Sequence, residues 1–540
     1  MAADGPISLG AGGSAPDTRG GAPLPDRDSG DLTAVTAPEP TSSGGSLPGP
    51  SGAAGRDVLD RQLFKGLAFT GGVNSLMQVL RWATTLLLAR ILVPSDYGLI
   101  GMAIVFTGIV ALVNEFGLGA AIIQQRDLDE DVVARLGGLS VFVGIASCLV
   151  SLAAAGPIAR FFGEPAVGAI VRVLAFRFIL DSLLVLPRAL LTRDLRFGAL
   201  ARIDAIEAFA MSVLSIGAAV AGMRYWSLVI GSSGGAVVAV LVASRIRGHR
   251  IAWPRQLRQL ERSLRFGRDV LATRLTWYAY SNADFLIVGR LLDSVALGLY
   301  TMAWTIASVP VEKVSAVVGR VTPGIFSAVQ SDVTELRRYF LLLTEAIAFI
   351  TLPMSIGFMI VADDFVLAIL GEKWRPAIPV LRVLAAYASV RSVSTLPPQI
   401  MTAKGRPDLT RRANTFAVVV LPLCFVLGTH WGIVGVAAGW VVGYPLTVMA
   451  FTFPYTFRLL ELSAPRYLRA LWPAVSGTLV MAIAAAAARI VLFEGTQPMV
   501  RLFAVATVGT VTYGALALTV HRGRVEAIRS LVLRLRGRER

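Results

Sequence analysis

Four arginines stand in segments that are otherwise apolar, and they are the residues best suited to bind an anion: Arg81, Arg177, Arg274 and Arg391. A guanidinium stays charged, and its planar donors match two oxygens of a phosphate at once. Because an ionised side chain is costly in the middle of a bilayer, each arginine should face a polar interior or a partner. We therefore predict a cationic lumen that attracts an anionic substrate. The alternative stays open that each arginine is neutralised by a nearby acid or reaches the membrane interface.

Four carboxylates in apolar segments are candidates for ion or proton coupling: Asp204, Glu207, Asp284 and Glu345. A carboxylate inside a membrane can take up a proton as it is desolvated. Each could instead be the salt-bridge partner of a neighbouring arginine, and the sequence leaves both interpretations open. Spacing favours one pair, because Arg177 and Asp181 are four residues apart and share a helical face.

The residue types that usually build catalytic, metal or cofactor sites are sparse. The two cysteines lie in apolar runs and the three histidines are scattered without metal-ligand spacing: Cys148, Cys424, His249, His430 and His521. Two cysteines cannot build a disulfide framework or a thiolate metal site. We therefore predict no catalytic residues, no metal and no cofactor.

A membrane glycosyltransferase or polymer ligase is the enzyme alternative. Such an enzyme would need a large loop outside the membrane with catalytic acids or histidines. The longest loop expected here, 362–376, has Asp363, Asp364 and Glu372 as its acids. We therefore expect a protein that is not an enzyme.

These candidates must be positioned by a chain that is far more apolar than a soluble protein. Of its 540 residues, 55% are hydrophobic and 16% are charged, and the mean hydropathy is +0.65. A soluble domain has about a quarter charged residues, and a helix needs about 20 apolar residues to cross a bilayer. We predict an all-α, polytopic integral membrane protein. Its fourteen apolar segments are 67–91, 98–123, 136–156, 167–191, 199–222, 226–244, 270–292, 297–322, 339–361, 377–402, 413–430, 433–453, 471–493 and 500–520.

The distribution of arginine predicts how these helices are oriented. The connection 245–268 has eight arginines and one acid, and the tail from His521 has seven arginines and two acids. Cytoplasmic loops are enriched in Lys and Arg, so both termini are expected on the cytoplasmic side of a bacterial inner membrane. The acidic loop 126–131 disagrees, but acids weigh little in this rule. Topology therefore explains the net charge of +16 better than nucleic-acid binding does.

An internal repeat divides the chain. After a shift of 200 residues, 83–103 matches 283–303 at eight of 21 positions, and after a shift of 210 residues 172–192 matches 382–402 at eight of 21. Such a composition gives roughly two matches by chance. Each repeat has six helices, so both enter the membrane from the same side. This parallel repeat is a known plan of transporters, with the substrate site between the halves.

Two motifs of the first repeat resemble a known family. Ala89-Arg-Ile-Leu-Val-Pro-Ser-Asp-Tyr-Gly98 resembles the A-R-x-L-x-P-x-D-Y-G signature of polysaccharide exporters, as does Asn114-Glu-Phe-Gly-Leu-Gly119. Residues 284–292 and Gly298-Leu-Tyr300 are similar to the start of the family's second lobe. Over about 60–460, the chain resembles the Wzx-type flippases of the multidrug/oligosaccharidyl-lipid/polysaccharide exporter superfamily, especially the colanic-acid exporter branch. Residues 294–298 lack the Pro, Asp and Tyr, so the signature marks only the first lobe.

The resemblance implies two six-helix lobes around a lumen, with two additional C-terminal helices. It implies a polyprenyl-diphosphate-linked oligosaccharide as substrate, flipped by alternating access for extracellular polysaccharide or lipopolysaccharide biosynthesis. Membrane lipids, a polysaccharide polymerase and glycosyltransferases are the expected partners, and nucleic acid is not. The alternative within the superfamily is a cation-coupled drug antiporter, for which an acidic lumen would be expected.

The expected organisation has six parts. A Gly-, Pro- and Ser-rich composition predicts disorder at the N-terminus, and the repeat and the apolar segments set the remaining boundaries. The parts are a disordered cytoplasmic tail at 1–56, the first lobe at 57–244, a basic cytoplasmic linker at 245–268, the second lobe at 269–456, two more membrane helices at 457–520 and a basic cytoplasmic tail at 521–540.

Overall fold

The computed structural model describes residues 75–114, 122, 129–248, 250–253, 271, 274–492, 495–526 and 530. These ranges are helical apart from short connections and have no β-strand, so the predicted all-α class is confirmed. The predicted N-terminal tail lies outside the described residues, as do most of the basic linker and the end of the C-terminal tail.

Neighbouring helical segments of the described chain group into fourteen helices. The first six are α1 (75–91), α2 (Pro94–Asn114), α3 (Glu130–Phe162), α4 (Pro165–Arg193), α5 (Phe197–Val220) and α6 (Trp226–Ile246). The next six are α7 (274–281 and Ala283–Leu291), α8 (Ser294–Ala328), α9 (Val333–Phe365, continued by Val366–Leu370), α10 (Ile378–Val393, then Pro397–Ala403), α11 (Pro407–Gly428) and α12 (Gly432–Thr447, continued to Leu459). The last two are α13 (Ala464–Ala487, continued by Ala488–Leu492) and α14 (Pro498–Thr519).

Ten helical segments within the described ranges are long and apolar enough to cross a membrane, so the multi-pass prediction is confirmed. One of the ten, Pro407–Leu459, contains both α11 and α12. Helix α4 is long enough but carries Arg172, Arg177, Asp181 and Arg188, which make it less apolar than its neighbours. The number of crossings, fourteen, stays a prediction.

The two halves of the chain pack in the same pattern. Helix α2 packs on α3 and α4, α3 packs on α4, α4 packs on α6, and α5 packs on α6. Six helices later the same contacts recur: α8 with α9 and α10, α9 with α10, α10 with α12, and α11 with α12. This correspondence is what a parallel repeat of six helices requires. The exact domain boundaries stay predictions.

Helices α13 and α14 pack on each other and on α9 of the second half. Their attachment corrects one expectation, because Asp363 and Asp364 lie in the helix α9 and not in a loop. Asp363 lies 2.6 Å from Arg489, and Asp364 lies 3.2 Å from Arg489 and also pairs with Arg501 of α14. Pairing with arginines of other helices lets the apolar helix α9 continue through these two acids, which the sequence alone predicts to lie in a loop.

Candidate transport site

In the first half, the predicted substrate residue Arg177 is surrounded by acids. Its Nε lies 3.4 Å from Oδ2 of Asp181, as the spacing predicts, and its Nη2 lies 4.0 Å from Oε1 of Glu207. Its Nη1 also donates to the carbonyl oxygen of Ser232 at 3.0 Å. These groups offset its charge. Arg177 is therefore better described as a partner in salt bridges than as a free cation that lines a lumen.

The predicted coupling residues Asp204 and Glu207 share an arginine that is not among the predicted site residues. Arg188 Nη2 lies 3.0 Å from Oδ1 of Asp204 and 2.8 Å from Oε2 of Glu207. Arg188 is on α4, eleven residues after Arg177, which is about three helical turns and therefore the same face. That spacing is the signal that could have identified it.

In the second half, Arg391 has a different environment. Within the described ranges, no carboxylate lies within salt-bridge distance of its guanidinium, although Tyr387, Tyr444 and Glu312 are near enough to interact with its charge. It also borders a narrow cavity with Trp304 and Tyr387. Among the described residues, Arg391 therefore lacks ion pairs of the kind that Arg177 makes.

Arg81 and Arg274 lie on the first helix of each repeat, on α1 and α7. Both side chains are exposed. In the described part of the chain, no carboxylate lies within salt-bridge distance of Arg81. Substrate binding by these arginines stays a prediction.

Asp284 is fully buried in the second half. Its Oδ2 accepts hydrogen bonds from Tyr300 Oη at 2.6 Å and from Trp440 Nε1 at 2.8 Å. Its other oxygen has no side-chain partner among the described residues. Unlike Asp204 and Glu207, this carboxyl group has no described arginine within salt-bridge distance, so it is suited to bind a proton or a small cation.

Glu345 is separate from the other predicted coupling residues. It is 3% exposed on α9, the helix that carries α13 and α14. Its Oε2 lies 3.5 Å from Nη1 of Arg524 in the C-terminal segment. The structure therefore places Glu345 beside the additional helices.

One end of the interface between the halves is closed by reciprocal contacts. Arg90 at the end of α1 donates to the carbonyl oxygens of Ala368 and Ile369. In the same region, Trp374 Nε1 donates to the carbonyl oxygen of Ala89 at 2.9 Å, and Lys373 Nζ donates to that of Arg90 at 2.7 Å. Because backbone carbonyls accept these bonds, the end of α9 is joined to the end of α1.

The arginine that corresponds to Arg90 in the second repeat makes the matching contact with the first half. Arg290 corresponds to Arg90, and its guanidinium lies 5.6 Å from the ring centroid of Phe161 at the end of α3. Ser294 Oγ also donates to Glu164 Oε1 at 3.2 Å. Each half therefore sends an arginine to the end of the third helix of the other half.

The family signature of the first repeat lies within this closed end. Asp96 is buried, its Oδ2 accepts a bond from the Val93 amide at 3.1 Å, and its Oδ1 lies 3.3 Å from Arg224 Nε. The Tyr97 ring packs edge-on against Trp374 of the second half, with ring centroids 5.5 Å apart. Gly98 allows α2 to touch α8 directly, since a Cβ there would collide with the backbone of Ser294. The motif therefore builds the contact between the halves.

A protein-family model described as polysaccharide biosynthesis protein matches residues 87–379. The chain belongs to this family. The match begins in α1 and ends at the start of α10, so it covers the closed end, most of the first repeat and the first three helices of the second repeat. The resemblance to Wzx-type polysaccharide flippases that the sequence motifs indicate is confirmed.

Two curated relatives resemble the chain over most of their length. The lipopolysaccharide biosynthesis protein WzxC of Escherichia coli K12 is 26% identical over 71% of this chain and 79% of its own. The teichuronic acid biosynthesis protein TuaB of Bacillus subtilis 168 is 28% identical over 65% of this chain and 73% of its own. Both names refer to biosynthesis, of lipopolysaccharide in the first case and of teichuronic acid in the second.

A solved structure of the lipid II flippase MurJ, in an inward closed conformation, has the same fold. It superposes on 85% of this chain and 100% of its own, with a TM-score of 0.68 and 11% sequence identity. The chain therefore shares the fold of that protein, which agrees with the fold class expected from the repeat.

Proposed function

We propose that the chain is a flippase that moves polyprenyl-diphosphate-linked oligosaccharide units across a bacterial inner membrane for extracellular polysaccharide or lipopolysaccharide synthesis. Family membership and the names of the relatives support the substrate class and a role as a transporter, not an enzyme. The observation that carries the mechanism is the reciprocal closure of one end by Arg90 and Arg290. A two-lobed protein that is closed at one end suits alternating access.

The closed end belongs on the outer side of the membrane if both termini are cytoplasmic. Helix α1 would cross outward, so that its end at Arg90 and the start of α2 would lie at the outer surface. The arginine-rich connection 245–268 supports this orientation, because such loops stay in the cytoplasm. The substrate would then enter from the cytoplasm between lobes 57–244 and 269–456.

The charge distribution supports unequal roles for the two lobes. In the first lobe, Arg177 and Arg188 already hold Asp181, Asp204 and Glu207. In the second lobe, Arg391 remains available for the diphosphate, with Arg81 and Arg274 on the first helix of each repeat as further contacts. Asp284 is the best candidate for the coupling ion or proton, since Asp204, Glu207 and Glu345 each have an arginine nearby.

The drug-antiporter alternative would need carboxylates that are open to a cationic drug. In the described part of the first lobe, Asp181, Asp204 and Glu207 each lie within salt-bridge distance of an arginine. Asp284 is fully buried under Tyr300 and Trp440. These placements favour an anionic substrate over a cationic drug.

Deletion of the gene in its host tests the proposal. We expect loss of a surface polysaccharide and accumulation of lipid-linked oligosaccharide in the inner leaflet, both reversed by the wild-type chain. The glycosyltransferases that build this intermediate and the polymerase that consumes it are the proposed partners. Normal polysaccharide and no accumulated intermediate in the deletion strain would contradict the proposed function.

A further inference from the structure

A second basic site lies away from the interface between the lobes. We propose that the cavity between α9, α13 and the C-terminal segment binds the phosphate of an anionic membrane lipid. The cavity has a volume of about 520 Å³. Its charged lining consists of Arg337, Arg338, Arg466, Arg469, Arg524 and Glu345.

The charge of this cavity is strongly positive. Its one acidic lining residue, Glu345, is 3% exposed and lies 3.5 Å from Arg524. Arg338 pairs with Glu335 at 2.7 Å. In the ranges that the structure describes, no carboxylate lies within salt-bridge distance of Arg466 or Arg469, so both are available to an anion.

The arrangement goes beyond a simple topology signal. Arginines that only retain a loop in the cytoplasm need not converge, whereas these come from three separate chain segments and line one cavity. Arg466 and Arg469 are three residues apart and share a face of α13. Arg337 is held by a bond from its Nη1 to the carbonyl oxygen of Glu461 at 2.8 Å. The site is therefore partly organised before any ligand binds.

The surroundings fit a lipid better than a soluble anion. Leu341 and Leu342 form the apolar wall of the same cavity. On α13, Leu468 lies between Arg466 and Arg469 and Trp472 lies one turn after them, and both are 63% exposed. Exposed tryptophan is typical of the level where a membrane meets water, and basic pockets between membrane helices bind anionic head groups. The arginines can thus hold a phosphodiester while the acyl chains lie along α13.

The site differs from the proposed substrate site. It lies on the side of α9 that carries α13 and α14, whereas Arg391 lies on α10 beside Tyr387 and Tyr444. The inference therefore does not depend on flippase activity. It concerns a resident membrane lipid that joins the additional helices and the C-terminal segment to the second lobe.

Native mass spectrometry of the purified, delipidated full-length chain tests the inference. The chain is titrated with phosphatidylglycerol, with phosphatidylcholine or with inorganic phosphate. We expect phosphatidylglycerol to bind well and phosphatidylcholine poorly, with millimolar phosphate unable to displace the bound lipid. In the double variant Arg466→Gln/Arg469→Gln, phosphatidylglycerol affinity should fall about tenfold or more, since each basic residue near a membrane surface contributes appreciably to lipid binding.

Arg522→Gln is the matched control, because Arg522 is exposed, pairs with Glu526 at 2.9 Å and does not line the cavity. The Arg522→Gln variant should bind phosphatidylglycerol with the affinity of the wild type. If the double variant fails to fold, Arg466→Gln alone should still weaken binding several-fold. Unchanged affinity in the folded variants, or equal binding of phosphatidylcholine, would overturn the inference. Displacement of the lipid by inorganic phosphate would assign the cavity to a soluble anion and would overturn it too.

Discussion

Gly98 and Gly298 lie against each other's helices in a reciprocal manner. A Cβ on Gly98 would collide with the carbonyl oxygen of Ser294, and a Cβ on Gly298 would collide with that of Pro94. The two glycines occupy equivalent positions in the repeats, as do Pro94 and Ser294. The closed end is therefore a contact that the internal symmetry of the chain generates, and it requires glycine on both sides.

Replacing Gly98 with Ala should prevent this contact. The added methyl would require the backbones of α2 and α8 to separate, and forced packing costs about 1–3 kcal/mol or more. We expect a lower melting temperature of the purified protein and loss of polysaccharide export in cells. Gly217→Ala is the control, since nothing lies within 4 Å of its Cβ position. If the Gly98→Ala protein had the melting temperature and the export of the wild type, the direct contact between α2 and α8 would not be needed.

Replacing Arg391 with Ala should abolish export while protein levels stay normal. The side chain has no carboxylate partner in the described chain, so its removal strands no buried acid, but it removes a donor for the diphosphate. Arg81→Ala should have the same effect. Export of polymer and membrane protein level are measured together, with Arg406→Gln, an exposed residue paired with Asp408, as the control. Normal export by the Arg81/Arg391 double variant would refute the cationic lumen.

Asp284→Asn should fold but fail to transport. Asparagine can still accept the bonds from Tyr300 and Trp440 but cannot bind a proton or offer a charge to a cation. The measurement is translocation of lipid-linked oligosaccharide in vesicles under an imposed proton or sodium gradient. Tyr300→Phe, which removes one bond but keeps the carboxyl group, should keep gradient-dependent transport. If Asp284→Asn also keeps it, coupling occurs elsewhere.

Arg188→Ala should destabilise the first lobe more than Glu207→Gln does. Removing Arg188 leaves Asp204 and Glu207 without their shared partner, whereas Glu207→Gln leaves Arg188 with Asp204 and Arg177 with Asp181. For groups about 20–40% exposed, a loss of about 1–2 kcal/mol is expected, between the values for surface and buried pairs. Melting in detergent measures the difference. If Glu207→Gln lowered the stability more than Arg188→Ala does, the cluster would depend mainly on the Glu207 carboxylate and not on Arg188.

The sequence was sufficient to predict the helices and the repeat, because both depend on apolar length and on matched positions. The predicted segment 199–222 corresponds to Phe197–Val220, and 500–520 corresponds to Pro498–Thr519. The observed helix Val333–Phe365 begins six residues before the predicted 339–361, because hydropathy detects the apolar part and not the polar turns beyond it. Helix ends outside the hydrocarbon were therefore less accurate.

The pairing of charges could be predicted only within one helix. The Arg177–Asp181 pair follows from spacing, but the contact of Arg188 with Asp204 and Glu207 joins two helices whose rotation the sequence does not specify. The same reason explains Asp364, which pairs with Arg501 from a helix 137 residues later. The repeat predicts that Gly98 and Gly298 occupy equivalent positions, but only the structure shows that both lie at the contact between the halves.

The ion pairs of Asp363 and Asp364 with Arg489 and Arg501 attach α13 and α14 to the second half, which makes that half the larger one. Every major packing partner of α13 and α14 in the described chain belongs to the second half or to the pair itself, so eight helices should move as one body and six as the other. The twelve helices of the two repeats should therefore move unequally, because the second half carries two additional helices. Because viscous drag in a bilayer resists the larger body more, we expect a probe fixed to α14 to report little motion and one on α5 to report most of it.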